Sequence, residues 1–232
     1  WWKLVQDRPS GAKWLAPADR TRLEAQLAEE QRGIPAMPNL RAALTSPLAL
    51  ALALQYFAWS AGLYGFVLWL PSILRGYGNG MVAVGWLNAA PYAAAAVVMV
   101  VVSVLSDRAL KRKLAIWPPL LLGAAAFLGS YFVGDTNFWL GFALLVVAGA
   151  CMYAPYGPFF AYIAERFPTN VAGGATALIN SMGALGSFAG TYVVKLLNDW
   201  TGSPDISFLT MGAMLAISAV ITMALPEGKK FS

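Results

Sequence analysis

Residues 47–71 read PLALALALQYFAWSAGLYGFVLWLP, a stretch without a charged side chain. About 20 apolar residues suffice to cross the hydrocarbon core of a bilayer as an α-helix. Five further apolar stretches follow, and the six predicted spans cover about 48–71, 82–104, 114–133, 137–162, 171–197 and 205–225. The sequence therefore predicts an all-α membrane protein in which residues 47–226 form a six-transmembrane-helix bundle.

The composition favours a membrane protein over a soluble helical one. Charged residues make up 12% of the chain and hydrophobic residues 59%, whereas about 25% of residues are charged in soluble domains. The net charge of +5 could indicate nucleic-acid binding. Because the basic residues flank the spans instead of sharing one face, we expect contacts with anionic lipid head groups and no nucleic-acid partner.

The charges between the spans predict the orientation of the chain. If the helices alternate in direction, 14 of the 16 Lys and Arg residues lie on one side of the membrane. Only Arg75 and Lys195 lie on the other side. By the positive-inside rule, both ends of the chain should be cytoplasmic.

The segments outside the bundle are short and polar. Residues 1–46 are predicted to form a cytoplasmic connector with a polar helix over 18–31, ended by Gly33 and Pro35, and residues 227–232 a cytoplasmic tail. The chain starts at Trp1 with neither a Met nor a signal peptide. We expect a piece of a longer protein, with residues 1–46 linking its two halves.

The side chains needed for several kinds of chemistry are missing. The chain has no His and one Cys, Cys151, which we interpret as a small packing residue inside a span. A disulfide framework, a Cys/His zinc site and a Cys–His nucleophile are therefore excluded within this chain. No Asp or Glu lies inside a span to bind a metal. We predict no metal, no cofactor, no catalytic residue and no enzyme activity.

The fifth span combines small residues with one polar residue. Gly186 and Gly190 have the Gly-x-x-x-Gly spacing that lets two membrane helices approach closely. Asn180 lies near the middle of the same span, where an amide needs a partner. The partner is either a polar ligand or a neighbouring helix, and the sequence leaves both possibilities open.

Other polar residues lie deep in the first, second and fourth spans. The segment Tyr153–Phe160 contains two prolines and a glycine, which should loosen the fourth span and present Tyr153 and Tyr156 to a central cavity. Packing around a kink is the alternative. The remaining deep candidates for a binding site are Gln55, Trp59, Asn88 and Tyr92.

The loop after the second span has a pattern suited to a cytoplasmic gate. Asp107 stands at the membrane edge directly before Arg108, Lys111 and Arg112. We expect Arg108 to reach Glu165, at the cytoplasmic end of the fourth span. An ordinary solvated loop is the alternative.

These gate residues resemble a motif of the major facilitator superfamily. Ser103-x-x-x-Asp107-Arg108-x-x-Lys111-Arg112 is similar to the second-half copy of that superfamily's Gly-x-x-x-Asp-Arg-x-Gly-Arg-Arg loop. Ser103 and Leu110 replace the two glycines. The chain as a whole resembles the C-terminal half of a twelve-helix transporter of this superfamily.

Other segments resemble the anion:cation symporter family within that superfamily. They are Asp7-Arg8-Pro9-x-x-Ala12-Lys13-Trp14-Leu15, Leu68-Trp69-Leu70-Pro71, Pro91-Tyr92 and Ala177-Leu-Ile-Asn180-Ser-Met-Gly183. The runs 152–160 and 183–188 are similar to the branch of 2-ketogluconate transporters.

The resemblance implies a proton-coupled symporter of sugar acids that works by alternating access in a bacterial inner membrane. Its site would lie at the midplane between two six-helix halves, of which the N-terminal one is missing here. The expected ligand contacts are Trp59, Tyr156 and Asn180, with Gln55, Tyr153, Asn88 and Tyr92 behind them. The alternative is a six-helix scaffold or assembly partner that transports nothing.

Overall fold

The structure, a computed structural model, describes residues 9–32, 34, 36–76, 80–133, 136–202 and 206–226. These ranges contain helices and no strand. Nine α-helices occur within them: α1 Pro17–Arg32, α2 Leu40–Leu44, α3 Pro47–Gly76, α4 Met81–Ala109, α5 Trp117–Val133, α6 Phe138–Tyr153, α7 Tyr156–Ala164, α8 Thr169–Thr201 and α9 Ile206–Ala224.

Six segments of the described chain are long and apolar enough to cross a membrane. They are Pro47–Gly76, Met81–Ala109, Lys113–Val133, Phe138–Ala164, Thr169–Thr201 and Ile206–Ala224. The third includes a short 3₁₀ turn, Lys113–Ala115, before α5, and the fourth combines α6 and α7. The predicted fold class, an all-α bundle of six membrane-spanning helices, is confirmed.

Several helices extend beyond the apolar stretches that predict them. Pro71 does not end α3, which continues to Gly76. At the other end of the bundle, α4 runs to Ala109 and stops where Leu110 adopts a left-handed conformation with φ 51°. Similarly, α8 runs to Thr201 and is capped by Gly202 at φ 66°. Hydrophobicity shows where a helix enters the lipid, while the helix itself continues until the backbone turns.

The fourth span is broken near its middle, as its prolines and glycine predict. Helix α6 ends at Tyr153 and α7 begins at Tyr156. Pro155 and Pro158 have no N–H to donate, so the helical ladder is interrupted at both positions. Gly157 lies so close to Ser103 of α4 that a Cβ at this position would overlap the Ser103 side chain.

Helix α3 is the centre of the bundle and packs against α8, α9 and α4. Its Leu52, Phe66 and Leu70 side chains are completely buried. The contact with α8 is a contact between backbones: a Cβ at Gly186 would overlap the Phe57 carbonyl, and one at Gly190 that of Ala61. These two glycines thus provide the close approach that their spacing predicts.

The connector is attached to the start of α8. Asn39 caps α2, and Leu40 lies against Gly174 of α8. The Thr169 N–H donates to Gln31 Oε1 over 3.2 Å, and Asn170 Nδ2 donates to the Met37 carbonyl over 3.0 Å. The polar helix of this segment is α1, whereas Gly33, Pro35, residues 1–8 and the tail 227–232 lie outside the described residues.

We predict that Gly186→Ala destabilises the protein, because the added methyl group has to separate the α3 and α8 backbones. Overpacking of this kind costs about 1–3 kcal/mol. Gly173→Ala is the matched control on the same helix, since a Cβ there has no neighbour within 4 Å. Thermal unfolding of the purified protein in detergent is the measurement. Equal midpoints for the two variants would contradict the backbone contact.

Candidate functional site

Seven aromatic rings surround the break in the fourth span. The Trp59 ring lies 4.7 Å from that of Tyr156, Tyr153 lies 5.8 Å from Tyr156, and Tyr92 lies 6.2 Å from Tyr153, measured between ring centroids. We call this group the aromatic cluster: Tyr56, Trp59, Tyr92, Tyr153, Tyr156, Phe159 and Phe160. The cluster joins α3, α4, α6 and α7 at one place.

Trp59 links the central helix to the end of α6. Its side chain is completely buried, and its indole N–H donates to the Met152 carbonyl over 2.9 Å. The hydrogen bond fixes the indole beside the break, one residue before α6 ends. Trp59 therefore positions the neighbouring Tyr156 ring from inside the bundle.

Gln55 lies one turn before Trp59 and is also completely buried. Its Nε2 donates to Ser218 Oγ of α9 over 2.9 Å, while its Oε1 has no partner among the described residues. Gln55 and Trp59 therefore present no surface to a ligand in this arrangement. Direct contact between a ligand and either side chain does not fit this packing, because α9 covers Gln55 and α6 covers Trp59. Both residues act here as links between helices.

The other five expected site residues keep part of their side chains exposed, and they fall into two groups. Tyr153, Tyr156 and Tyr92 are half-buried members of the aromatic cluster. Asn88 lies one turn before Tyr92 on the same face of α4, and its Oδ1 is buried without a partner in the described structure. Hydroxyl groups, an amide and ring faces thus meet around the break.

Asn180 lies apart from that group, exposed on α8. It is one turn before Gly183, whose backbone packs against the Tyr56 ring. This contact places Asn180 beside the aromatic cluster without joining it. Its amide is therefore open to a ligand or to another part of the protein.

Tyr64 belongs to the same region and was not selected from the sequence. It lies on α3, about two turns after Tyr56, with 42% of its surface exposed. In the sequence, the indication is that Tyr64 lies five residues after Trp59 in the same apolar stretch. The sequence does not show how α3 is rotated in the bundle, and so it does not show whether Tyr64 faces the cluster or the lipid.

The end of the bundle where α4 and α7 terminate contains an ionic cluster centred on Arg112. Arg112 Nε donates to Glu165 Oε1 over 2.9 Å, and its guanidinium also binds Asp107 and, over 3.3 Å, Ser106 Oγ. Burial lowers the pKa of Arg112, but the hydrogen bonds and charges of Asp107 and Glu165 outweigh this and raise the pKa above its usual value. Arg112 is thus positively charged throughout the physiological pH range.

The prediction that Arg108 reaches Glu165 is wrong, because Arg112 binds Glu165 instead. Because α4 continues to Ala109, Arg108 remains on the exposed helix surface. The chain reverses at Leu110, and this reversal brings Arg112 back over the end of α4 towards Glu165. Lys111 also remains exposed. Of the expected gate residues, the structure thus brings together Asp107, Arg112 and Glu165.

A second set of contacts at this end holds the segment that follows α9. Arg166 Nη2 and Tyr162 Oη each donate to the Pro226 carbonyl over 2.6 Å, and Lys113 Nζ donates to the Leu225 carbonyl over 2.7 Å. Cations are favourable near the C-terminus of a helix. The sequence shows these cations but not which segment they bind.

Comparison with known proteins agrees with this architecture. The family model described as Major Facilitator Superfamily matches residues 11–191 and 83–230. Two putative tartrate transporters of Agrobacterium vitis are 32% and 30% identical over 96% and 95% of the chain, and a quinolone resistance transporter of Acinetobacter baumannii is 27% identical over 94%.

The lengths of the matches show how much of those proteins this chain represents. It covers 49% and 51% of the two tartrate relatives, so it spans about half the length of the curated relatives it matches. The proton:xylose symporter XylE superimposes with a TM-score of 0.71 over 94% of this chain and 47% of its own, at 14% identity. At that identity the match shows the fold alone.

We predict that Trp59→Phe destabilises the protein, because it keeps a ring but leaves the buried Met152 carbonyl without its donor. Such a loss costs roughly 1–3 kcal/mol. Trp200→Phe is the control, since Trp200 is 83% exposed. Unfolding midpoints in detergent compare the two variants. A Trp59→Phe variant as stable as Trp200→Phe would show that the hydrogen bond does not contribute.

We predict that Arg112→Lys loosens the loop after α4, because a single ammonium cannot replace the fork that contacts Asp107, Glu165 and Ser106. Hydrogen exchange of residues 106–116 should become several-fold faster. Arg108→Lys, at an exposed position four residues earlier, should leave the exchange rate unchanged. Equal effects of the two substitutions would show that the ionic cluster does not order this loop.

Proposed function

The chain belongs to the Major Facilitator Superfamily, and on that premise we propose that it is the C-terminal half of a secondary transporter for organic anions. It is a multi-pass membrane protein whose relatives are transporters, which confirms that it is not an enzyme. The proposed mechanism is alternating access, driven by symport of a proton. A second six-helix half would complete the site.

The aromatic cluster is the observation that carries this proposal. It places half-buried tyrosines around a broken helix in the fourth span, and Asn88, whose buried Oδ1 has no partner among the described residues, lies one turn from Tyr92. Irregular backbone within a membrane is stable where it is buried in protein or lines a cavity. A cavity between two halves satisfies that condition, and its walls here are neutral hydrogen-bonding groups suited to the hydroxyl groups of a substrate.

Because these walls carry no charge, the charged groups of the site have to come from the other half. In the described parts of the six spans, every Asp, Glu, Lys and Arg lies within about two turns of a helix end. An anion held within the membrane needs a positive partner, and proton coupling needs a group that titrates. We assign both to the N-terminal half, and the hydroxyl-binding part of the site to this chain.

Sugar acids such as 2-ketogluconate are the substrates we propose within this class. The support is the resemblance of residues 152–160 and 183–188 to 2-ketogluconate transporters, together with relatives named as putative tartrate transporters. Both compounds are hydroxylated carboxylates. Tyr156, Tyr153, Tyr92, Asn88 and Asn180 are the proposed contacts, with Trp59 and Gln55 holding the helices that carry them.

The ionic cluster of Asp107, Arg112 and Glu165 is the proposed cytoplasmic gate. It joins the end of α4 to the end of α7, next to the broken span. We propose that the cluster breaks and forms again as the site opens and closes, with both ends of the chain on the cytoplasmic side of the inner membrane. A scaffold that transports nothing is the alternative, which an uptake measurement distinguishes.

We predict that the full-length protein in proteoliposomes takes up 2-ketogluconate or tartrate under an inward proton gradient. A protonophore, which abolishes the gradient, is the control. An uptake rate that is the same with and without the protonophore would exclude proton coupling. No uptake of either acid would favour the scaffold.

Within that assay, Tyr156→Phe and Asn180→Ala should each raise the KM about fivefold, because one hydrogen bond contributes about 1 kcal/mol. Tyr131→Phe is the control, since Tyr131 lies on α5 and its ring contacts Phe132. A KM unchanged in both site variants would remove these residues from the site even if transport itself is observed.

A further inference from the structure

A cleft of about 480 Å³ separates α4 from α5 in the cytoplasmic half of the bundle. Both helices pack against α6, and Cys151 of α6 together with Ala154, just after that helix, lines the inner side of the cleft. The walls are apolar and include Val102 and Leu105 on one side and Pro118 and Leu122 on the other. At its cytoplasmic end the cleft is bordered by Ser106 and Lys111.

The cleft is separate from the aromatic cluster. Successive residues of an α-helix are rotated by about 100°, so Cys151 and Tyr153 lie on nearly opposite sides of α6. Tyr153 belongs to the cluster and Cys151 to the cleft. Helix α5, which forms one wall of the cleft, contributes no ring to the cluster. A substrate bound at the cluster would therefore not enter the cleft.

The rim of the cleft has the character of a lipid-facing surface. Leu105 is 58% exposed and Leu122 is 56% exposed, and Val97 and Val101 continue the exposed aliphatic surface along α4. Within the bilayer, such a surface is covered by acyl chains. Because lipid tails are as apolar as these side chains, apolar contact alone does not select one lipid over another. Selection requires a group at the end of the cleft.

Lys111 supplies that group. Of the neighbouring cations, Arg112 binds Asp107 and Glu165, Lys113 binds the Leu225 carbonyl, and Arg108 does not line the cleft. Within the described residues, no acid forms a salt bridge with Lys111, and its side chain is exposed at the mouth of the cleft. A free ammonium at the cytoplasmic membrane surface attracts the phosphate of an anionic lipid.

We propose that this cleft is a binding site for an anionic phospholipid, with one acyl chain between α4 and α5 and the phosphate on the Lys111 ammonium. The apolar walls match the acyl chain, and the Lys111 ammonium at the mouth of the cleft matches the phosphate. The proposal rests on the cleft and its rim, and it holds whatever substrate the protein carries.

Photolabelling tests the proposal. The full-length protein is placed in phosphatidylcholine nanodiscs that contain phosphatidylglycerol with a diazirine in its acyl chain, and the labelled peptides are mapped by mass spectrometry. We expect labelling concentrated in 98–122 and 151–154. Unlabelled phosphatidylglycerol should compete, whereas added phosphatidylcholine and inorganic phosphate should not.

Two variants separate the contributions of the head group and the acyl chain. Lys111→Gln should reduce cleft labelling about fivefold, the effect of one cation near an anionic surface. Arg75→Gln, which removes a positive charge at the other end of the bundle, is the matched control. Leu122→Trp fills the cleft from an exposed position and should abolish labelling there while the protein remains folded.

Three results would overturn the proposal. Labelling spread evenly over all lipid-facing helices would show that the cleft is not a site. Equal competition by phosphatidylcholine would show that it does not select the anionic head group. Cross-links to a second protein copy across the cleft, with a dimer in native mass spectrometry, would identify another occupant.

Discussion

The backbone contact between α3 and α8 sets the positions of the other helices in the bundle. Membrane helices gain little from hydrophobic burial against each other, so close packing has to hold them together. Gly186 and Gly190 allow the α8 backbone to lie against Phe57 and Ala61. With α8 held on one side, α3 is centred so that its remaining faces contact α9, α4 and the end of α6.

The position of the candidate site follows from that arrangement. Trp59 extends from α3 to the Met152 carbonyl, and so the break in the fourth span is held at a defined distance from the central helix. Tyr153 and Tyr156 flank this break, and both side chains are half-buried. The completely buried Trp59 and Gln55 hold helices together, while half-buried residues remain available to a substrate. This division explains why polar residues at similar depth have different roles.

The cations at the end of the bundle that holds Arg112 likewise divide into distinct roles. Arg112 joins α4 to α7 through two carboxylates, while Lys113 and Arg166 bind the carbonyls of Leu225 and Pro226, just after α9. Lys111 has neither kind of partner among the described residues and lies beside an apolar cleft. Cations that lie close together in the sequence thus have different partners. Those contacts depend on where each helix ends.

The fold class, the six spans, the break in the fourth span and the close-packing glycines can all be predicted from the sequence. Each of these follows from local chemistry: apolar length, proline without an N–H, and the absence of a Cβ. Three features appear only once the helices are packed: Arg112 instead of Arg108 binds Glu165, Trp59 and Gln55 are buried, and Tyr64 lies near the cluster. The rotation of each helix and the chain reversal at Leu110 set these contacts. Rotation and reversal depend on packing between segments distant in sequence, which no local pattern encodes.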